Sequence, residues 1–143
     1  MLSKNFITAG KAIFTVEVPA GFDKPHYTYR VKVKPANGDY PETYFVSMLT
    51  GPDNYSNYTY LGILNPKTGV VKTTAKSKFA PNSFPVRLLN RVLARLWSDE
   101  GSKITEAGFD LHHEGKCGRC GRRLTVPQSV ESGFGPECIN LVA

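Results

Sequence analysis

The spacing of the three cysteines constrains this chain more than any other feature. They fall in the pattern His113-x3-Cys117-x2-Cys120-x17-Cys138. Two cysteines separated by two residues can face a single ion when the backbone between them makes a tight turn. The turn here is Cys117-Gly118-Arg119-Cys120-Gly121, with glycine at both points where the backbone must bend unusually. An odd number of cysteines in such an arrangement suits a metal better than a disulfide framework. Arg119, Arg122 and Arg123 surround the cluster and offset the negative charge of its thiolates. Pro136 and Glu137 open a short helix that carries Cys138 in its first turn, near free backbone amides. Pro127 to Ser132 predicts another short helical turn, stopped by Gly133. A knuckle, a short strand and a ligand-bearing helix together predict a zinc-ribbon or treble-clef-like unit over residues 113–143. The expected ligands of its Zn2+ are His113, Cys117, Cys120 and Cys138. Neighbouring side chains in extended chain point opposite ways, so only one of the two adjacent histidines ligates; His113 is preferred and His112 is the substitute. Four protein ligands leave no open position, so the ion is expected to be structural.

The same residues carry a resemblance. Cys117-Gly118-Arg119-Cys120-Gly121, then Leu124-Thr125-Val126-Pro127-Gln128-Ser129, then Gly133-Phe134-Gly135-Pro136-Glu137-Cys138 resemble the recurring pattern of small phage and prophage zinc-knuckle proteins, a family known only as a domain of unknown function. Upstream, Gly10-Lys11-Ala12, Phe14-Thr15, Tyr27-Thr28-Tyr29 and Leu49-Thr50-Gly51-Pro52-Asp53-Asn54 are similar to the longer members. The resemblance implies phage origin and a metal site at Cys117, Cys120, Cys138 and His113. It implies no particular activity.

Before the knuckle the chain reads as strands followed by a helix. His26 to Lys34 alternates cleanly, with Tyr27, Tyr29, Val31 and Val33 on one face and Thr28, Arg30, Lys32 and Lys34 on the other. Lys11 to Val18, Tyr44 to Leu49, Tyr58 to Leu64 and Val70 to Lys76 are further strands, the last two forming a hairpin around Asn65-Pro66-Lys67-Thr68-Gly69. From Ser83, a plausible N-cap, Val86, Leu88, Leu89, Val92, Leu93 and Leu96 recur at helical spacing, and the helix stops near Ser98-Asp99-Glu100-Gly101. The expected fold is α+β: a mostly antiparallel β-sheet with one packed amphipathic helix over residues 1–98, a connector over 99–112, and the knuckle over 113–143. With 41% hydrophobic residues the chain can build a packed core. No run reaches the roughly 20 apolar residues that span a bilayer, and the start lacks a secretory signal. Both point to a cytoplasm, that of the host cell if the chain is phage-encoded.

The charge is uneven. Basic residues outnumber acidic ones by 13 to 5 in residues 1–98 and trail by 5 to 7 in residues 99–143. Attraction to a polyanion therefore belongs to the first part. Arg30, Lys32 and Lys34 share a strand parity, as do Lys72, Lys76 and Lys78, while Arg87, Arg91 and Arg95 form a stripe on the helix. If the rows share a face and the stripe lies beside them, they make a groove that tracks a phosphate backbone, single-stranded DNA or RNA being favoured. Tyr27, Tyr29, Tyr55, Tyr58 and Tyr60 are candidate stacking surfaces. The alternative is a protein-interaction module that binds and inhibits or redirects a host or defence complex, with Gly51 to Tyr58 as an adaptable contact loop. A mimic of nucleic acid would be acidic, which disfavours mimicry. Neither a nucleophile triad, a P-loop nor a dinucleotide fingerprint occurs, so a binding protein rather than an enzyme is expected. His26 stands at the start of its strand, where a solvent-facing role is expected.

Overall fold

The computed structural model describes residues 2–53 and 56–142. Its elements, in chain order, are α1 (Lys4–Ile7), β1 (Lys11–Glu17), β2 (His26–Lys34), β3 (Thr43–Leu49), β4 (Tyr58–Leu64), β5 (Val71–Lys72), α2 (Phe84–Trp97), α3 (Ser102–Glu106), β6 (Asp110–His113) and α4 (Pro127–Ser132). A final 3-10 turn covers Cys138–Asn140. The strands form one antiparallel sheet in the order β5-β4-β3-β2-β1-β6. The expected fold of mostly antiparallel sheet plus amphipathic helix is present, with the cysteines gathered near the C-terminus.

Register explains the two faces. Phe14, Tyr29 and Met48 lie opposite one another across β1, β2 and β3, as do Ala12, Val31 and Val46. All six are buried. The six apolar residues of α2 pack into the same core, and the Tyr29 hydroxyl, on that face, donates to the Pro85 carbonyl at 2.8 Å. The helix therefore covers one face of the sheet. The opposite face carries Lys11, Lys32, Phe45, Ile63 and Lys72 in register across five strands.

Several local expectations change. The strand expected over Val70 to Lys76 pairs only at Val71 and Lys72. In β4 the register slips at Leu61 and Gly62, and a side chain at Gly62 would meet the Lys72 carbonyl at 2.4 Å. Such a bulge bends the strand and shortens pairing beyond it; the chain then turns, with the Thr74 amide donating to Ser77 Oγ. Ser83 occupies the N-cap position of α2 without capping it, because its hydroxyl donates to the Ala80 carbonyl. The helix ends at Trp97, with Glu100 and Asp99 amides closing back on the Arg95 and Leu96 carbonyls and Asp99 in the left-handed region at φ 56°. The stretch read as a connector contains α3 and most of β6, and β6 pairs with β1. A four-residue strand alternating Leu111 and His113 with Asp110 and His112 is too short to separate from loop by pattern.

The short β5 is closed by a side chain. Asn90 of α2 accepts from the Val71 amide at 2.7 Å and donates to the Val71 carbonyl at 3.0 Å, as a neighbouring strand would. Asn90→Ala removes both bonds at a half-buried edge and is expected to cost about 1–2 kcal/mol. Urea unfolding measures this; a change below about 0.3 kcal/mol would show that water replaces the amide fully. None of the helices among the described residues is long and apolar enough to cross a membrane.

Candidate metal centre and basic face

The knuckle is a tight hairpin. Lys116 and Arg123 bridge across it, the Cys117 amide donates to the Arg122 carbonyl at 2.8 Å, and the Gly121 amide donates to the Cys117 carbonyl at 2.9 Å. Gly121 has φ +80°, the left-handed value that glycine takes freely. Gly118 is required for a different reason. A Cβ there would lie 2.6 Å from the ring of Phe6, and one at Gly133 would lie 2.7 Å from the same ring. Phe6, fully buried, is thus clasped by two glycines and flanked by the rings of Phe134 and His113. The Lys11 amide donates to the Gly118 carbonyl at 2.7 Å, tying β1 to the knuckle. Pro127 opens α4, and Gly133 ends it in the left-handed region, as the sequence predicts.

This frame brings Cys117, Cys120 and Cys138 together, with their three sulfur atoms within 4.8 Å of one another. Cys117 and Cys138 are buried and Cys120 is exposed. The donor set fits a metal ion. Backbone amides of Arg119 and Cys120 point at the Cys117 sulfur from 3.4 and 3.5 Å, and the Arg119 guanidinium lies 3.6 Å from the Cys138 sulfur. Burial pushes the Cys117 thiol up, but amides of Cys120, Gly135 and Arg119 outweigh it and bring the thiol down to about 7. Arg119 stabilises the Cys138 thiolate, yet desolvation and the two neighbouring cysteine side chains leave that thiol raised. Three sulfur atoms this close, with amide and guanidinium donors directed at them, could hold a metal ion.

The expected fourth ligand lies elsewhere. His113 has both ring nitrogens engaged: Nδ1 accepts from the Gly115 amide at 2.9 Å and Nε2 donates to the Val130 carbonyl. The ring thereby staples the start of the knuckle to α4. His112 points to the opposite sheet face, where Nε2 lies 3.3 Å from a Glu17 carboxylate oxygen. Neither histidine joins the three-cysteine group.

On the sheet, Arg30, Lys32, Lys34 and Lys72 share the face opposite α2. Lys32 and Lys72 are three strands apart, about 14 Å at ordinary strand spacing. Lys76 and Lys78 follow the end of β5 and lie outside its row. Arg87, Arg91 and Arg95 do not join the face either: they are exposed on α2, in the other layer. Arg87 donates to the Asn82 carbonyl and Arg95 pairs with Glu100 at 3.2 Å. Among the tyrosines, Tyr27 and Tyr29 are core residues, whereas Tyr58 and Tyr60 lie half-buried on the basic face. Tyr55 is outside the described residues. His26 is exposed at the start of β2, opposite Glu17.

Sequence reasoning missed how the knuckle extends the basic face. Lys11, Arg30, Lys32, Lys116 and Cys120 line one cleft of about 280 Å³, so the exposed cysteine sits at its margin. A second cleft, of about 430 Å³, is lined by Thr15, Thr28, Tyr58, Glu114, Lys116 and Arg123, among others. The parity of Thr15 and Thr28 with the basic row was readable; the approach of Glu114, 99 positions from Thr15, was not.

The site therefore defines a three-cysteine knuckle clasped to an antiparallel sheet. Residues 112–140, the knuckle together with the end of β6, match a family of unknown function (DUF6011), in agreement with the motif resemblance. No curated protein and no solved structure matches the chain.

Proposed function

We propose that the protein binds single-stranded nucleic acid, DNA or RNA, across the open face of its sheet, with a Zn2+ at Cys117, Cys120 and Cys138 holding the knuckle in place. The observation that carries this reading is the register: Lys11, Arg30, Lys32, Lys34 and Lys72 lie on one uncovered face, interleaved with Phe45, Tyr58 and Tyr60. Cations set among half-exposed rings suit a flexible strand, whose phosphates are neutralised while its bases stack. The role is one of binding, in the phage or prophage setting that the motif resemblance implies.

The test is anisotropy with labelled single-stranded DNA, duplex DNA and RNA over a range of salt. Micromolar or tighter binding is expected, and five phosphate contacts on a single strand would give a log–log salt slope of about −3.5. Lys32→Glu with Lys72→Glu should weaken binding at least tenfold, whereas Arg91→Glu on the opposite layer should change it little. Failure to bind any of the three at low salt would remove the reading.

A second reading, a module that contacts a host or defence protein, draws on one observation. Val126, Val130, Ile139 and Leu141 are large apolar side chains exposed within the knuckle. A protein captured by the wild type and lost on Val130→Glu, in a chain that binds no nucleic acid, would favour it.

A further inference from the structure

The polar face of the sheet is not uniformly solvated. Thr15 and Thr28 lie on it, opposite each other, yet are only 4% and 8% exposed. Their hydroxyl oxygens are 2.7 Å apart, and Thr15 also donates to Glu114. Each hydroxyl has a single proton. Since Thr15 gives its proton to the carboxylate, Thr28 must donate to Thr15, and the chain of bonds ends on an oxygen acceptor at Glu114. A carboxylate accepts through about four lone-pair positions, so Glu114 retains capacity for a donor from outside.

Two other polar atoms at this place have no partner among the described residues. They are the Tyr58 hydroxyl and Arg30 Nε, both shielded from solvent. The Arg30 guanidinium lies 4.2 Å over the Tyr58 ring, so the two side chains hold each other in position. Buried polar groups are normally paired, and orphans of this kind mark a missing partner. Burial and the nearby Glu114 keep the Tyr58 hydroxyl protonated against the pull of Arg30, which leaves it a donor.

Thr15, Thr28, Tyr58 and Glu114 line a cleft of about 430 Å³, the size of a small-molecule site, and Arg30 lines the cleft beside it. Its charge is divided. Lys116 and Arg123 supply cations, and Lys116 is shared with the adjoining cleft of Lys11, Arg30 and Lys32. Glu114 and Glu17 supply acceptors. A simple dianion would be repelled by the carboxylates, and a neutral sugar would gain nothing from the positive charge of Lys116 and Arg123. A nucleotide carries both a phosphate and a donor-rich sugar or base edge.

We propose that this cleft receives one nucleotide unit, its phosphate against Lys116 and Arg123 and its donor edge against Glu114, with the Tyr58 hydroxyl completing the contact. The assignment rests on the nucleic-acid reading above and makes the cleft the place where the strand is held rather than merely tracked.

The test is a 15N–1H NMR titration of the full chain with AMP, CMP, GMP, UMP and inorganic phosphate. At least one mononucleotide should shift the amides of Thr15, Thr28 and Tyr58 and bind at least tenfold tighter than phosphate. Glu114→Gln and Tyr58→Phe keep the side-chain shapes and should each weaken that binding about tenfold, without altering the salt slope for an oligonucleotide. Equal affinity for phosphate and nucleotides, or wild-type affinity in both variants, overturns the assignment while leaving strand binding standing. A nucleotide seated in the cleft of a chain that binds no oligonucleotide instead overturns the strand reading.

Discussion

Phe6→Ala is expected to destabilise the protein by about 3–5 kcal/mol, the range for emptying a fully buried aromatic site. The ring is completely buried and fills the space left by two glycines, so its loss opens a cavity that neither backbone can readily close. The complementary change is as telling. Gly133→Ala puts a methyl group 2.7 Å from that ring and demands φ +81° of a residue with a Cβ, which combines overpacking with backbone strain. Both variants should release the knuckle before the sheet. Denaturant unfolding gives the magnitude, and hydrogen exchange over residues 114–138 locates it. A loss under about 1 kcal/mol for Phe6→Ala would show that the knuckle docks by other contacts.

Removing a metal ion from the proposed three-cysteine site should have the larger effect. Wild-type protein is expected to purify with one zinc per chain, and Cys138→Ser to purify with none. Structural zinc sites contribute on the order of 10 kcal/mol of apparent binding free energy at neutral pH, more than a knuckle of this size could supply by packing. Chelation should therefore strip exchange protection from residues 115–140 first, while β1–β4 and α2 keep most of theirs. Cys117 and Cys138 share one core cluster with Phe14, Tyr29, Val46 and Leu89, but the strand pairing of β1 to β4 does not pass through the knuckle. His113→Gln separates the roles of the histidine. With its ring stapled between Gly115 and Val130, the change should lower stability and leave zinc stoichiometry at one. Loss of zinc as complete as in Cys138→Ser would return His113 to the ligand set. A wild-type chain that folds without metal and ignores chelators would remove the metal altogether.

Much of this was legible because it is local. The alternation of His26 to Lys34 fixes which residues of β2 face the core, and the period of α2 fixes its buried stripe. The glycines and prolines of the knuckle announce its turns. What the sequence hid depends on partners far along the chain. Tyr27 and Tyr29 belong to the apolar parity, but aromatic rings among basic residues suggest stacking as readily as burial. Lys76 and Lys78 keep a strand's parity on paper, and only the bulge at Leu61 and Gly62 breaks it. The arginine stripe of α2 was correctly spaced, yet nothing in a helix says which face of a sheet it will cover. His113 has the chemistry of a ligand; that its nitrogens meet two backbone groups instead follows from where β6 joins β1. Phe6 gave no signal at all, since its partners lie more than 100 positions away.

The Asn90 contact with Val71 has a consequence for how copies of the chain could meet. A sheet with one open, aromatic and basic face invites copies to stack strand against strand at its margins. Here one margin is two residues long and already answered by an amide borrowed from the helix, and the other, β6, is only four residues long. A second copy cannot extend the ladder along β5, whereas residues 58–62 of β4 have, among the described residues, no strand partner on that side beyond the Lys78 amide donating to the Tyr60 carbonyl.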